Sequence, residues 1–391
     1  MEYKKVAFIR NGPLTKYLYE SLEIEKILNE GFEVDYIDIT ALYIGKIEHG
    51  EDFVFKSIIT ISTWKDFKRY LEIQNTSQIL FIYQTLYNYR SLGVFYLLRK
   101  YNCKLGFFAR YALPSTKIQT TFQQKLDGFK RKLKNRVGLR ISYYGKKLGM
   151  IKTYDYIFAG GKKSLDHFFK GYYYRIDRNS AKVINVNAFD FDRFLKMERK
   201  ERVVNGTYIV FLDQYLPYHS DFLIHEKRTI ESESYFFNLN TFFSQIEKKF
   251  ETKIVIAAHP KANNYKKHNP FDKRPVFFER TAELVAGSML VLAHYTTSIN
   301  FAVLFNKPII LLSSIQIKKV LPAGAQFQDR LAKTLGSMIL DIGDNITDEI
   351  KITFDSFKYS EYKYNYLTSP ESEHKQSVTI FIEFLKNVSI H

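Results

Sequence analysis

The chain has 391 residues, of which 46% are hydrophobic and 16% aromatic. This length exceeds one ordinary core, so we expect two domains of roughly 150 to 200 residues each. The formal net charge of +17 and the pI near 9.4 favour an anionic partner. A single cysteine excludes an internal disulfide, and neither a signal peptide nor a membrane-spanning apolar run is recognisable, which predicts a cytoplasmic protein.

The first half opens with a Rossmann-like β-loop-α-β pattern. Residues 4–9 are predicted as a strand, followed by a turn, a helix over 15–30 and a strand over 32–37. The turn lacks the GxGxxG of dinucleotide-binding proteins. Its Arg10 and Asn11 lie where a substrate could meet the end of a strand. The alternative is a turn whose Asn-Gly only satisfies the backbone geometry.

An α/β rhythm continues through the rest of this half, which we assign as an acceptor domain over residues 1–197. Further strands are predicted at 52–59, 78–83, 104–108, 154–159 and 182–186, and helices at 64–71, 91–100 and 164–169.

A strongly basic segment, residues 121–149, interrupts this rhythm. Residues 117–152 hold eleven Lys or Arg against one acid, Asp127. Apolar residues recur at three- and four-residue steps, which predicts an amphipathic helix with one apolar stripe: Phe122, Leu126, Phe129, Leu133, Val137 and Ile141. Such a helix could bind an anionic membrane surface, or it could pack its stripe on the core and expose its cations to solvent. No recognised nucleic-acid-binding motif accompanies the charge, so a nucleic acid is not expected.

A polar linker at 198–205 separates this half from a second domain over 206–367. That domain also reads as a Rossmann-like sheet, and the tail 368–391 is predicted to carry a helix that could cross back to the first domain. Its predicted strands are 206–212, 253–258, 276–278, 289–293 and 308–312, its helices include 230–250, 281–286 and 298–305, and 334–340 forms a last small α/β unit. The fold class is therefore α/β, with two Rossmann-like domains facing a cleft.

Two titratable residues follow strands of the second domain. Asp213 comes directly after the strand 206–212, where a carboxylate could act as a general base towards a hydroxyl or could simply cap a turn. His259 follows the strand 253–258, and Pro260 fixes the backbone beside it. An imidazole there could donate to a phosphate or protonate a leaving oxygen, and the competing interpretation is a structural histidine.

Hydroxyl groups precede a helix of the same domain. Thr296, Thr297 and Ser298 could hold a phosphate together with backbone N–H groups at the helix start, although an ordinary helix cap is the alternative. Glu279, after the short strand 276–278, could accept hydrogen bonds from a ribose or pair with Lys273 or Arg280. No pair of acids of the DxD type lies at a strand end of this half, so a metal-bridged diphosphate is not indicated.

The order of these motifs resembles the donor domain of GT-B glycosyltransferases, most closely bacterial sialyltransferases and related capsule and lipopolysaccharide enzymes that use CMP-activated acidic sugars. The HP pair is His259-Pro260, the Ser/Thr motif is Thr296-Thr297-Ser298, and Asp213 takes the acidic position. The family usually shows two acids and a glycine there, whereas this chain has Asp213-Gln214-Tyr215. The similarity covers residues 206–312.

The resemblance implies a transferase that moves sialic acid, another nonulosonic acid or a Kdo-like sugar from a CMP-sugar donor to a surface glycan or a lipid-linked acceptor. Asp213 would deprotonate the acceptor and His259 would stabilise or protonate the CMP phosphate. Thr297 and Ser298 would hold that phosphate, and Glu279 would hold the ribose or cytosine side. Such enzymes need no metal or other cofactor, and the basic helix would place this one on the inner face of the cytoplasmic membrane.

Three alternatives stay open at this point. A CDP-glycerol-type phosphotransferase shares the HP and Ser/Thr elements, and a nonhydrolysing UDP-sugar 2-epimerase shares the two-domain layout. A basic, membrane-peripheral binding protein on an inactive α/β scaffold would be no enzyme at all.

Overall fold

A computed structural model describes residues 3–44, 53–114, 129–197, 203–218, 230–346, 350 and 352–387. The chain divides into two compact units. The first unit draws on three segments, Met1–Ala112, Thr120–Phe189 and Thr368–His391, and the second on Leu113–Gln119 and Asp190–Leu367. Residues 198–202 of the predicted linker lie outside the described residues.

The first unit is a parallel sheet covered by helices. Its strands are β1 Lys5–Arg10, β2 Glu33–Asp38, β3 Ile58–Thr60, β4 Ile79–Tyr83, β5 Lys104–Ala109, β6 Tyr156–Gly160 and β7 Lys182–Val186. Its helices are α1 Lys16–Ser21, α2 Ile24–Asn29, α3 Ala41–Ile44, α4 Trp64–Ile73, α5 Leu92–Lys100, α6 Phe129–Lys147, α7 Lys163–Phe168 and α8 Arg175–Ser180.

The second unit repeats this layout with a second parallel sheet. Its strands are β8 Tyr208–Leu212, β9 Lys253–Ala257, β10 Val276–Phe277, β11 Leu290–Ala293, β12 Ile309–Ser313 and β13 Met338–Asp341. The helices that follow in the chain are α9 Phe189–Lys196, α10 Ser232–Phe250, α11 Thr281–Gly287, α12 Ile299–Leu304, α13 Ile315–Val320, α14 Pro322–Leu335 and α15 Ser356–Tyr362. The last helix, α16 Ser377–Asn387, belongs to the first unit.

Both sheets have the Rossmann strand order. The first runs β3-β2-β1-β4-β5-β6-β7 and the second β10-β9-β8-β11-β12-β13. In each sheet the chain moves outwards from a central strand and then returns to that strand's other side, which creates a switch point at the carboxyl edge. The predicted α/β fold class with two Rossmann-like domains is confirmed.

Several strands of the two parallel sheets are completely buried. β4, β6, β8 and β12 are buried along their whole length, as expected for strands covered on both faces. In the first unit one face packs on α5 and the other on α2 and α16, and Phe381, Phe384 and Leu385 of α16 belong to the second of these cores. The C-terminal helix is therefore part of the first unit.

Three predicted elements have different bounds in the structure. The helix predicted over 15–30 is broken into α1 and α2, because Glu23 adopts a left-handed backbone with φ of 54°. The strand predicted over 52–59 shrinks to β3, and residue 52 lies outside the described residues. Of the predicted basic helix 121–149, residues 129–147 form α6, and 121–128 also lie outside them.

Candidate functional site

The carboxyl edge of the second sheet brings three strand ends together. Leu212 of β8 pairs with Ala257 of β9 on one side and with Ala293 of β11 on the other. Asp213 therefore leaves the sheet between the residues that follow β9 and β11. The switch point of this sheet lies between β8 and β11, and ligands of open α/β sheets bind at such crevices.

The carboxylate of Asp213 is buried and accepts backbone hydrogen bonds from both sides. Its Oδ1 accepts the Tyr215 N–H at 3.0 Å, and its Oδ2 accepts the His259 N–H at 3.3 Å. Only 5% of the residue is exposed. Burial raises the pKa of Asp213 to about 6, while the backbone donors act in the opposite direction. The structure thus joins Asp213 to the loop of His259, two residues that the sequence places 46 positions apart.

His259 lies half-buried at the end of β9 with a defined ring orientation. Its Nδ1 accepts the Lys261 N–H at 3.2 Å, which leaves the proton of the neutral ring on Nε2. The ring is parallel to that of Tyr215, with centroids 6.4 Å apart. Pro260 is exposed beside it. An Nε2–H group held in this way can donate to an anion.

Gln214 and Tyr215 form part of this edge, although sequence reasoning treated them only as a departure from a motif. Gln214 Oε1 accepts the Tyr295 N–H at 3.2 Å, which links the loops after β8 and β11. Tyr215 has a left-handed backbone with φ of 55°, and its hydroxyl donates to Asn264 Oδ1 at 2.9 Å. Their position directly after Asp213 was the available signal.

The predicted phosphate loop begins helix α12, which has only six residues. The backbone N–H groups of Ile299, Asn300 and Phe301 bond back to the carbonyl oxygens of Thr296, Thr297 and Ser298 in tight turns. These donors are therefore occupied, contrary to the expectation of free N–H groups. The hydroxyls are placed differently: Thr296 Oγ1 accepts the Ser298 N–H at 3.3 Å, and Thr297 is exposed. A ligand would meet the side chains rather than the backbone amides.

Glu279 follows β10 at the same edge of the sheet, two strands away from β8. It is exposed and has a left-handed backbone with φ of 59°. Its carbonyl oxygen accepts from Arg193 Nη2 at 3.1 Å. Arg280 pairs with Glu283 at 3.2 Å, so the alternative pairing of Glu279 with Arg280 is not the one observed.

His294 lies at the end of β11 but has a structural environment. Its Nδ1 donates to the Leu312 carbonyl at 2.7 Å, and its Nε2 accepts from the Tyr235 hydroxyl at 2.8 Å. Complete burial lowers the pKa of His294 to about 4, so the ring is neutral near pH 7. This histidine fixes β11 against α10 and β12.

Arg10 ends β1 and Asn11 follows it, and the two residues line different cavities of the first unit. The Nε atom of Arg10 is buried without a hydrogen-bond partner among the described residues, and burial lowers the pKa of its guanidinium. Arg10 lines a cavity of about 190 Å³ together with Arg110, Gln84 and Phe381. Arg110 was not singled out from the sequence; its Nε donates to the Asn187 carbonyl at 2.8 Å.

Asn11 lines a second cavity of the first unit, with a volume of about 330 Å³. Its amide lies 3.4 Å from Thr85 Oγ1, at the switch point between β1 and β4. Aromatic and polar side chains dominate the lining, among them Tyr43, Tyr83, Tyr89, Arg90 and Asn135. Rings beside amides and hydroxyls suit an oxygen-rich ligand such as a sugar.

Another cavity of about 700 Å³ lies elsewhere in the second unit. Gly206, Met289 and Lys307 line it, and they precede β8, β11 and β12 at the amino edge of the sheet. None of the predicted site residues contributes to it. In the part of the chain that the structure describes, no group of three or more His, Cys, Asp or Glu residues is arranged to hold a metal ion. No helix within that part is long and apolar enough to cross a membrane.

No protein-family model matches the chain, and no curated protein matches it. Solved structures with a similar chain course include MurG from Acinetobacter baumannii, with 10% identity, coverage of 98% of this chain and 100% of that chain, and a TM-score of 0.47. UDP-GlcNAc 2-epimerase from Methanocaldococcus jannaschii has 11% identity, coverage of 96% and 98%, and a TM-score of 0.48. The wall teichoic acid polymerase TagF has 11% identity, coverage of 99% and 85%, and a TM-score of 0.41. Identities and scores at this level decide neither activity nor substrate.

Proposed function

We propose that the protein is a glycosyltransferase that moves an acidic sugar from a CMP-sugar donor to a glycan or a lipid-linked glycan acceptor. One observation carries this proposal. The buried Asp213 carboxylate and the His259 loop are hydrogen-bonded to each other at the switch point of a Rossmann-like sheet. A potential general base and a potential hydrogen-bond donor to a phosphate thus lie at the edge where such sheets bind nucleotides.

The two residues have complementary chemistry. The pKa of Asp213, raised to about 6, leaves the carboxylate ionised yet basic enough to accept a proton near neutral pH. The Nε2–H of His259 can donate to an oxygen of the departing phosphate. The hydroxyls of Thr297 and Ser298 are proposed to hold the same phosphate.

In the proposed reaction the acceptor oxygen forms a bond to the anomeric carbon as the bond between that carbon and the phosphate oxygen breaks. The bonding electrons leave with the phosphate of CMP, where His259 stabilises the charge. The proton of the acceptor hydroxyl passes to Asp213. We propose that Glu279 binds the ribose or cytosine side of the donor.

The acceptor is proposed to bind to the first unit. The cavity of Asn11 offers tyrosine rings and amides for a sugar, and the neighbouring cavity of Arg10 and Arg110 offers positive charge. Both flank the carboxyl end of β1. A glycan that carries a carboxylate or phosphate would match this pair of cavities.

The test is nucleotide release by the full chain from CMP-activated nonulosonic and 3-deoxy-octulosonic sugars, from UDP-GlcNAc and from CDP-glycerol. We expect CMP release, reduced roughly a hundredfold or more in His259→Ala and in Asp213→Ala. His268→Ala and Asp329→Ala are matched controls, because both residues are exposed in the same unit. Melting curves establish that every variant is folded.

Each other result contradicts the proposal in a distinct way. Release of UDP or CDP alone would replace the donor class, and interconversion of UDP-GlcNAc with its 2-epimer without an acceptor would identify an epimerase. No release from any donor and no rise in melting temperature with millimolar nucleotide would favour a binding protein, since a ligand that binds the folded state must stabilise it.

A further inference from the structure

Helix α6 buries a polar face. Gly138 packs so closely that a Cβ atom would lie 2.4 Å from the backbone nitrogen of Tyr89. Ser142 is fully buried, and the Lys146 ammonium forms an ion pair with Asp177 at 2.6 Å without exposure of either side chain. Small and paired polar residues therefore fix this helix to the first unit.

Three apolar residues of the helix, and Leu148 directly after it, face outwards instead, whereas Leu139 and Tyr143 lie on the packed side. Val137, Ile141, Tyr144 and Leu148 have exposed fractions of 47%, 52%, 61% and 73%. Their spacing of three and four residues places them on one side, over a length of roughly 17 Å, and we name them the α6 stripe. Of the two alternatives that the sequence left open, packing of the stripe on the core is therefore not observed for Val137 and Ile141. The side chains of Phe129 and Leu133, and all of Phe122 and Leu126, lie outside the described residues.

The charge along the α6 segment itself has one sign. Arg136, Arg140 and Lys147 are exposed beside the α6 stripe. The sequence contains no acidic residue from 128 to 154. Exposed apolar residues in a line, flanked by cations, form the pattern of helices that lie in the interface of a membrane.

We propose that the α6 stripe and its flanking cations are a docking surface for an anionic lipid bilayer. The apolar side chains would enter the boundary between headgroups and acyl chains, while the cations would meet the lipid phosphates. A nucleic acid would satisfy the cations but leave four apolar side chains in water. A second copy of the same face would bring like charges together.

The experiment is sedimentation of the full chain with vesicles of phosphatidylcholine and phosphatidylglycerol in equal parts, and with vesicles of phosphatidylcholine alone. We expect strong binding to the anionic vesicles that weakens as salt is added. Ile141→Ser combined with Leu148→Ser should weaken this binding at least about tenfold, because two inserted apolar side chains are lost. Arg136→Gln combined with Arg140→Gln should remove most of the salt dependence.

Matched controls come from helix α4. Ile73→Ser changes an apolar residue with 72% exposure, close to that of Leu148. Lys65→Gln combined with Arg69→Gln removes two exposed cations that are also four residues apart. Both controls should bind anionic vesicles like the wild type. Equal binding to both kinds of vesicle, wild-type binding by the Ile141/Leu148 variant, or a stripe variant that converts a dimer into a monomer would each overturn the proposal.

Discussion

At the scale of single residues, Asp213 offers a test that separates catalysis from structural capping. Folding raises its pKa from the ordinary range to about 6. Its contribution to stability is therefore fully present below the unfolded pKa and is lost as the pH rises through 6. Above that pH the buried charge costs up to about 3 kcal/mol. Asp213→Asn should therefore raise the free energy of unfolding near pH 7.5, even though it abolishes transfer.

The measurement is urea unfolding of both proteins near pH 7.5 and at about pH 4.5, where we expect the difference to shrink. The transfer rate of the wild type should fall as the pH drops through 6, since the base must be ionised. A carboxylate that only caps the loop would give the reverse pattern. In that case Asp213→Asn would lower stability and retain transfer.

His259 allows a finer prediction about one ring nitrogen. The Nδ1 atom accepts from the Lys261 N–H, so the donor that a neutral ring can offer to a phosphate is Nε2–H. Glutamine places its amide near the position of Nε2, and asparagine places its amide near that of Nδ1. His259→Gln should therefore retain roughly tenfold more nucleotide release than His259→Asn. Equal activity of the two variants would exclude a donor role for Nε2.

At the scale of elements, the packing of α6 decides whether Gly138→Ala stabilises or destabilises the protein. Alanine favours helix over glycine by about 1 kcal/mol, so propensity alone makes Gly138→Ala stabilising. The new Cβ would instead meet the backbone of Asn88 and Tyr89, which has no rotamer to change. We expect a net loss of roughly 1–3 kcal/mol in the free energy of unfolding.

The control lies in the same helix. A Cβ at Gly145 would lie 2.5 Å from the Ile151 side chain, which can shift. Gly145→Ala should therefore cost clearly less than Gly138→Ala in the same denaturant titration. Stabilisation by Gly138→Ala would show that α6 does not contact the loop of Tyr89.

The elements also show how far a sequence leads and where it stops. Apolar runs and their strand ends predicted both sheets and brought Asp213 and His259 to one edge, because parallel strands share a carboxyl edge. The same reasoning identified the amphipathic pattern of α6 but left open whether its apolar stripe packs on the core or faces a membrane. Periodicity locates an apolar stripe but does not show what the stripe contacts. Here the opposite side of the helix is buried, and Lys146 can be buried because Asp177, distant in sequence, neutralises its charge.

Local pattern also missed the links between loops. Gln214 Oε1 accepts a hydrogen bond from the backbone N–H of Tyr295, 81 residues away in the sequence. Neither segment contains a sequence pattern that predicts this contact. The break between α1 and α2 depends on the backbone of Glu23, a residue type that rarely adopts a left-handed conformation. Such features depend on tertiary packing, which overrides local preference.

At the scale of the whole molecule, the first unit depends on a segment from the other end of the chain. Phe381, Phe384 and Leu385 of α16 are buried in its core. Loss of each of these side chains from the core would lower the free energy of unfolding by roughly 1.5–3 kcal/mol. The three losses together are comparable to the net stability of an ordinary domain. The second unit, by contrast, is almost one continuous segment, Asp190–Leu367.

Two fragments test this asymmetry by thermal melting. Residues 1–189 alone should show no cooperative transition, and the same fragment fused through a flexible Gly/Ser linker to residues 368–387 should recover one. Residues 190–367 should melt cooperatively and gain melting temperature with the nucleotide that the full chain binds, because Asp213, His259 and Ser298 all lie within them. A folded 1–189 fragment would mean that α16 only covers the sheet. Failure of 190–367 to bind a nucleotide that the full chain binds would instead show that the first unit supplies part of the donor site.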